Sequence, residues 1–247
     1  LEHAPDVIEP HAIVPFRLNE PQAVERFRAW LEKGWFRPAD LMTDARAGRP
    51  RAIYIPYWVF DFIGSADYTA EVRDKNSGLV TVEERRSGSL SVLEENVLVP
   101  ASHTLPANLL HVLDEFDLDQ AERYAPEKLA DWPAELYQTT LADASLDARA
   151  RVARKVRAEV ESSIPGDGVR VLNVTTHGIN IDRYAHILLP VWTFSYTYAG
   201  KMYHALVNGQ TGEVEGEAPA GRPRLSWQIV LSLVVLVEII ALIYIAI

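Results

Sequence analysis

Residues Ala52–Phe62 read AIYIPYWVFDF. The aromatic and β-branched residues of this stretch favour a β-strand. Pro56 has no backbone N–H for a sheet, so we expect it at a sheet edge or a bulge. A second stretch, LLPVWTF at 188–194, repeats the order apolar-Pro-x-Trp-x-Phe. The echo predicts two similar β units, each placing a Trp and a Phe on one face.

Helical signals lie between and before these strands. The clearest is Asp143–Ser163, where alanine and valine recur every four residues and predict one apolar face. An earlier helix is expected after Asn19, because Asn19 can cap it and Gln22 stands three residues later, as in a capping box. We therefore predict an α+β fold with antiparallel β-sheet segments and inserted helices.

The predicted domain organisation has three parts. A soluble α+β domain covers residues 1–216, with two β-rich segments at about 50–100 and 168–216 that a helical segment, 101–165, separates. Residues 217–224 form a linker that contains proline, glycine and arginine. The remaining residues, 225–247, are predicted to form a C-terminal transmembrane helix.

The prediction of a membrane anchor rests on the sequence LSWQIVLSLVVLVEIIALIYIAI, Leu225–Ile247, which contains a single charge. A helix of this length spans about 34 Å, and the hydrocarbon core of a bilayer is about 30 Å thick. Arg222, Arg224 and Trp227 are expected at the membrane interface. The two arginines favour a single-pass membrane protein whose domain is cytoplasmic. Glu238, near mid-span, either contacts another transmembrane subunit or a pigment-like ligand, or is tolerated in its protonated form.

Composition narrows the chemistry. The formal net charge is −10 and cysteine is absent, which argues against nucleic acid as a partner and excludes thiol nucleophiles and cysteine-ligated metals within these residues. The seven histidines are scattered without a helical metal-binding pair, and no phosphate-binding glycine loop occurs. We therefore expect no metal, no cofactor and no enzyme activity. An enzyme whose site is assembled from distant residues remains the alternative.

One cluster of charge suggests a different role. Five cations lie within nine residues of the strongest predicted helix: Arg149, Arg151, Arg154, Lys155 and Arg157. They are candidates for contact with an anionic surface, which would make the chain a lipid- or nucleic-acid-binding sensor. No aromatic residues are interleaved for base stacking, so the solvated face of an amphipathic helix is the preferred interpretation.

Several stretches carry a family resemblance. They are IVPF at 13–16, WLEKGWFRP at 30–38, YIPYWVFD at 54–61, NVLVPAS at 96–102, LLPVW at 188–192 and LVNGQTGEV at 206–214. In these the chain resembles a bacterial family of membrane proteins labelled as transcription factor IIB-type zinc-ribbon or primosomal helicase-like proteins. The family carries an N-terminal four-cysteine ribbon, which this cysteine-free chain lacks. The resemblance implies a non-enzymatic membrane-associated adaptor.

These observations lead to one functional prediction. We expect a non-enzymatic, membrane-anchored scaffold or accessory subunit of a membrane protein complex. Its expected partners are membrane protein subunits and the lipid bilayer, and nucleic acid is disfavoured by the acidic net charge.

Overall fold

The computed structural model describes residues 8–33, 37–38, 40–74, 82–110, 115–129, 132–164, 169–176 and 178–219. Within these ranges a single mixed sheet of nine strands joins both β-rich segments. Its long strands are β3 (Arg51–Asp74), β4 (Val82–Pro100) and β7 (Asn180–Tyr198). The shorter strands are β1 (Ala12–Ile13), β2 (Arg46–Ala47), β5 (Glu122–Arg123), β6 (Val169–Thr175), β8 (Lys201–Asn208) and β9 (Val214–Gly216).

Strand β3 lies in the middle of the sheet. It pairs with β4 along one edge and with β7 and then β6 along the other, always antiparallel. Strand β7 pairs in turn with β8, and β8 with β9. The short strand β1 runs parallel to β7 and joins it to β5. The central order is therefore β4-β3-β7-β1-β5.

In the described part of the chain, two helices longer than one turn cover one face of the sheet. Helix α1 (Glu20–Glu32) begins after Asn19, whose side chain accepts from the Gln22 N–H in the predicted capping box. Helix α4 (Leu141–Ser163) begins after Thr140, whose side chain accepts from the Asp143 N–H. The one-turn helices α2 (Leu41–Asp44) and α3 (Ala107–Leu110) lie in the connections.

The two Pro-x-Trp-x-Phe strands are related by a local two-fold axis. Ile55 pairs with Leu189, and the register runs outward so that Trp58 faces His186 and Trp192 faces Ala52. Each strand continues into a hairpin with the same pairing, Trp58 with Val99 and Trp192 with Val207. The sequence echo thus reflects an internal structural repeat.

The segments that precede α1 and α4 are related by the same local two-fold axis. Ile13 of β1 runs parallel to β7 at Leu188, and Ala134 forms a parallel bridge to β3 at Tyr54. The Ala101 carbonyl accepts from the Gln138 and Thr139 N–H groups, at 2.7 and 3.1 Å. Its counterpart, the Gly209 carbonyl, accepts from Arg17 and Leu18, both at 2.9 Å. Repeat 1 is therefore residues 12–100 and repeat 2 is residues 133–208.

Each helix packs against the hairpin of the other repeat. Helix α1 buries Ala23, Phe27 and Leu31 in a cluster with Trp192 of β7. Helix α4 buries its alanine and valine stripe in a cluster with Trp58 of β3. The chain therefore forms two intertwined halves, and the helix of each half completes the core of the other half.

The structure corrects the predicted fold class. The two β-rich segments form one mixed sheet instead of separate antiparallel segments, and strand outweighs helix in the described chain. The reason is that the partner of β3 is β7, more than a hundred residues away, and periodicity does not reveal strand partners. Within the segment 101–165 the main helix is α4, together with the single turn of α3 and two short 3-10 turns.

The structure shows neither the expected sheet edge nor a bulge at Pro56, because β3 is an inner strand and its register with β7 continues through Pro56 without a shift. The Pro56 carbonyl accepts from the Ala101 N–H at 2.9 Å, on the β4 side. The nitrogen of a strand residue faces the same side as its carbonyl, and the β3–β4 ladder begins only at Tyr57. The missing proline N–H therefore costs no bond to β7. Pro190 is placed in the same way, with its carbonyl 2.8 Å from the Gly209 N–H.

The predicted membrane anchor receives no support. None of the helices in the described ranges is both long and apolar enough to cross a bilayer. The longest, α4, has 23 residues, but charged side chains cover its outer face. The segment 225–247 lies outside the described residues. This finding corrects the expectation of a single-pass membrane protein with a cytoplasmic domain.

Candidate functional site

The most distinctive site lies where the internal symmetry is broken. In one half, Trp192 packs with Phe16 and with Trp132, the ring centroids lying 5.8 and 5.6 Å away. In the other half, Trp58 packs with Tyr137 at 5.5 Å and with the imidazole of His186 at 5.0 Å. The imidazole thus takes the place that an indole occupies in the opposite half.

A cavity of about 180 Å³ lies beside the imidazole of His186. The side chains that matter most for its chemistry are Glu135, Leu136, Tyr137 and His186, and its floor includes Ala134 and Leu188. The cavity lies close to the local two-fold axis, because Ala134 bridges to Tyr54 and Leu188 pairs with Pro56. The segment that leads to α1, with Ile8 and Pro10, and the segment that leads to α4, with residues 134–137, therefore both line this cavity.

His186 is the buried polar group of the cavity. Only 3% of the residue is exposed. Its Nδ1 lies 2.9 Å from the Ile8 carbonyl, which can only accept, so Nδ1 carries the proton and Nε2 keeps a lone pair. Burial lowers the pKa of His186 below its ordinary value, which keeps the imidazole neutral. Nε2 is buried and has no hydrogen-bond partner among the described residues.

Glu135 supplies a second acceptor to the cavity wall. One carboxylate oxygen, Oε2, accepts a hydrogen bond from the Ser102 hydroxyl. Ser102 is itself buried and accepts from the Thr104 N–H at 3.1 Å, which fixes the loop after β4. The Tyr137 hydroxyl accepts from the Ile8 N–H at 3.2 Å, at the mouth of the site. The cavity is therefore apolar and aromatic, with two acceptors in its wall.

The basic cluster predicted from the sequence is largely engaged within the chain. Arg149 donates to the Ile179 carbonyl, and Arg151 contacts both Asp147 and the Leu98 carbonyl at the edge of β4. Lys155 forms an ion pair with Glu94. Arg149, Arg154, Lys155 and Arg157 are nevertheless exposed. Three of the five cations thus hold α4 against the rest of the fold, and contact of the cluster with an anionic surface stays a prediction.

The other predicted site residues lie elsewhere. Arg222, Arg224, Trp227 and Glu238 fall outside the described residues. In the part of the chain that the structure describes, no three His, Asp or Glu side chains come close enough to hold a metal ion.

His186 is not among the site residues predicted from the sequence. The signal was present in the internal repeat. When the two repeats are aligned on Pro56 and Pro190, His186 is equivalent to Ala52. A polar residue therefore occupies a position that is small and apolar in the other repeat. A buried polar residue is informative, whereas a buried alanine is not.

Comparison with known proteins gives one distant relative. The chain is 25% identical over 227 residues to the uncharacterized protein YdjG of Bacillus subtilis strain 168, which covers 89% of this chain. The chain spans 66% of that protein's length. No family model matches the chain, and no solved structure matches it. The resemblance to zinc-ribbon proteins therefore gains no support.

Proposed function

We propose that the protein is a scaffold or accessory subunit that binds a partner protein, and that the cavity beside His186 receives a side chain of that partner. The observation that carries the proposal is a ring-sized cavity with an exposed apolar rim. Leu136, which lines the cavity, is 74% exposed, and Ile8 on the same rim is 36% exposed.

The size of the cavity favours a side chain over a metabolite. Sites for small-molecule ligands are usually about 300–1,000 Å³. This cavity has about 180 Å³. An engineered apolar cavity of about 150 Å³ holds a single benzene molecule. The site therefore matches the side chain of one anchor residue, the element that dominates the binding energy of many protein interfaces.

The rim supports the same conclusion. A large exposed leucine is unremarkable alone, but an exposed leucine beside a cavity gains burial when a partner docks. The aromatic wall and the two acceptors would then orient the anchor, because a few placed polar groups fix orientation in an apolar pocket.

Site-specific photo-crosslinking in cells tests the proposal. Leu136 is replaced by the photoreactive residue p-benzoylphenylalanine, and Leu146 on α4, which is 67% exposed, is replaced in a matched control. We expect a discrete crosslinked protein from position 136 and not from position 146. Combining the probe at 136 with Ala134→Phe should remove the product, because the new ring fills the cavity.

Two outcomes would contradict the proposal. Identical products from both positions would show non-specific contact. A product from position 136 that survives Ala134→Phe would show that the partner docks without entering the cavity. As a control, circular dichroism checks whether the Ala134→Phe variant remains folded.

A further inference from the structure

We infer that the anchor is a tyrosine side chain, whose hydroxyl donates a hydrogen bond to Nε2 of His186. The inference rests on the proposed function and deepens it, because it names the chemistry of the partner's anchor. Its basis is the asymmetry between the two halves of the molecule together with the hydrogen-bonding state of His186.

The cavity has room for one further ring. In the symmetric half, the indole of Trp132 completes the group formed by Phe16 and Trp192. In this half, the imidazole of His186 already packs against Trp58 and Tyr137. The remaining volume of about 180 Å³ suits one six-membered ring better than a two-ring indole.

The acceptors in the cavity wall favour a ligand that carries a hydrogen-bond donor. Nδ1 of His186 is committed to the Ile8 carbonyl, so Nε2 can only accept while the imidazole is neutral. The Glu135 carboxylate, when ionised, is likewise only an acceptor. Nε2 is already buried without a partner, and an unsatisfied buried acceptor is costly. A phenylalanine ring would leave this acceptor unsatisfied. A phenol supplies both the ring and the O–H.

The neighbouring part of this chain does not offer such a group. Residues 1–7, which directly precede Ile8 at the cavity rim, read LEHAPDV and contain neither tyrosine nor tryptophan. These seven residues therefore supply no phenol, and the inference assigns the phenol to the partner.

The test compares two small probes of the same shape in the full chain. p-Cresol is the side chain of tyrosine, and p-xylene replaces its hydroxyl by a methyl group. Titration calorimetry gives the ratio of the two dissociation constants for the wild type and for His186→Phe. We expect the preference for p-cresol to fall about fivefold to tenfold in His186→Phe, which corresponds to one net hydrogen bond. His204→Phe, which replaces another histidine of the sheet, is the matched control and should keep the wild-type ratio.

A second measurement does not depend on a variant. Nitrogen-15 NMR of the wild-type histidine rings should show a shift of the His186 Nε2 resonance on adding p-cresol and a much smaller one on adding p-xylene. This measurement decides the question if His186→Phe fails to fold.

The outcomes separate the two proposals. If both probes bind with a ratio that His186→Phe leaves unchanged, the cavity accepts a ring and the tyrosine inference is wrong. If neither probe binds, or if butylammonium binds in preference to p-cresol, the tyrosine inference also fails. Crosslinking from position 136 reports independently on whether a partner enters the cavity.

Discussion

Trp58 and Trp192 make the same hydrogen bond on either side of the local two-fold axis. Nε1 of Trp58 donates to the Thr139 carbonyl at 2.9 Å, and Nε1 of Trp192 donates to the Leu18 carbonyl at 3.1 Å. Each acceptor immediately precedes the N-cap of a helix. Since Trp58 belongs to repeat 1 and Thr139 to repeat 2, each indole fixes the start of the helix contributed by the other repeat.

The first prediction concerns these two indoles. Trp58 and Trp192 are at most 2% exposed, so both are core residues. Replacing either by alanine should lower the free energy of unfolding by about 3–5 kcal/mol, through lost burial and an unfilled cavity. Denaturant unfolding measures the change. A variant as stable as the wild type would show that the residue does not support the core.

The second prediction concerns the intertwined halves. A fragment of residues 1–115 lacks α4, which covers the apolar face around Trp58, and a fragment of residues 116–219 lacks α1, which covers Trp192. We expect each fragment alone to lack cooperative unfolding, because neither can bury its own aromatic strand. Mixing them during refolding should restore a cooperative transition, measured by near-ultraviolet circular dichroism. Cooperative folding of one fragment alone would contradict the mutual dependence.

The third prediction is a pH dependence that His186 controls. Burial lowers the pKa of His186 in the folded protein below its ordinary value of 6.5, so the unfolded chain binds this proton first as the pH falls. The contribution to stability is therefore fully present above about pH 6.5 and is lost as the pH falls toward the folded pKa. We expect His186→Phe to lose less stability than the wild type between pH 7.5 and 5, measured by urea unfolding. Parallel curves for the two proteins would show that His186 titrates normally in the fold.

The fourth prediction uses a position where the two repeats differ. A Cβ at Gly209 would lie 2.6 Å from the Phe16 ring and 2.9 Å from the Pro190 carbonyl. Gly209→Ala should therefore lower the free energy of unfolding by about 1–3 kcal/mol through overpacking. The control is Ala101→Gly at the symmetric position, which removes one methyl group and should cost about 1 kcal/mol by loosening the unfolded chain and the core. Full stability of Gly209→Ala would show that Phe16 moves without cost.

The contrast between two residues shows how far the candidate site could be predicted. The Asn19 cap was recognisable because its hydrogen bonds are local, to a residue three positions away. His186 was not recognisable as a site residue, because its hydrogen bond reaches Ile8 and its ring contacts reach Trp58 and Tyr137. Contacts of this range depend on how the sheet is assembled, and a single sequence does not record them.

The local structure of this protein can be read from its residues. Period-two aromatic patterning predicts the strands around Trp58 and Trp192, and the four-residue stripe together with the capping residues predicts α1 and α4. Three features emerge only when the chain is folded: β3 pairs with β7, each helix covers the hairpin of the other repeat, and a cavity remains beside His186. Backbone propensity and capping act over a few residues, whereas strand pairing and side-chain packing join residues more than a hundred positions apart, where burial determines which partners meet.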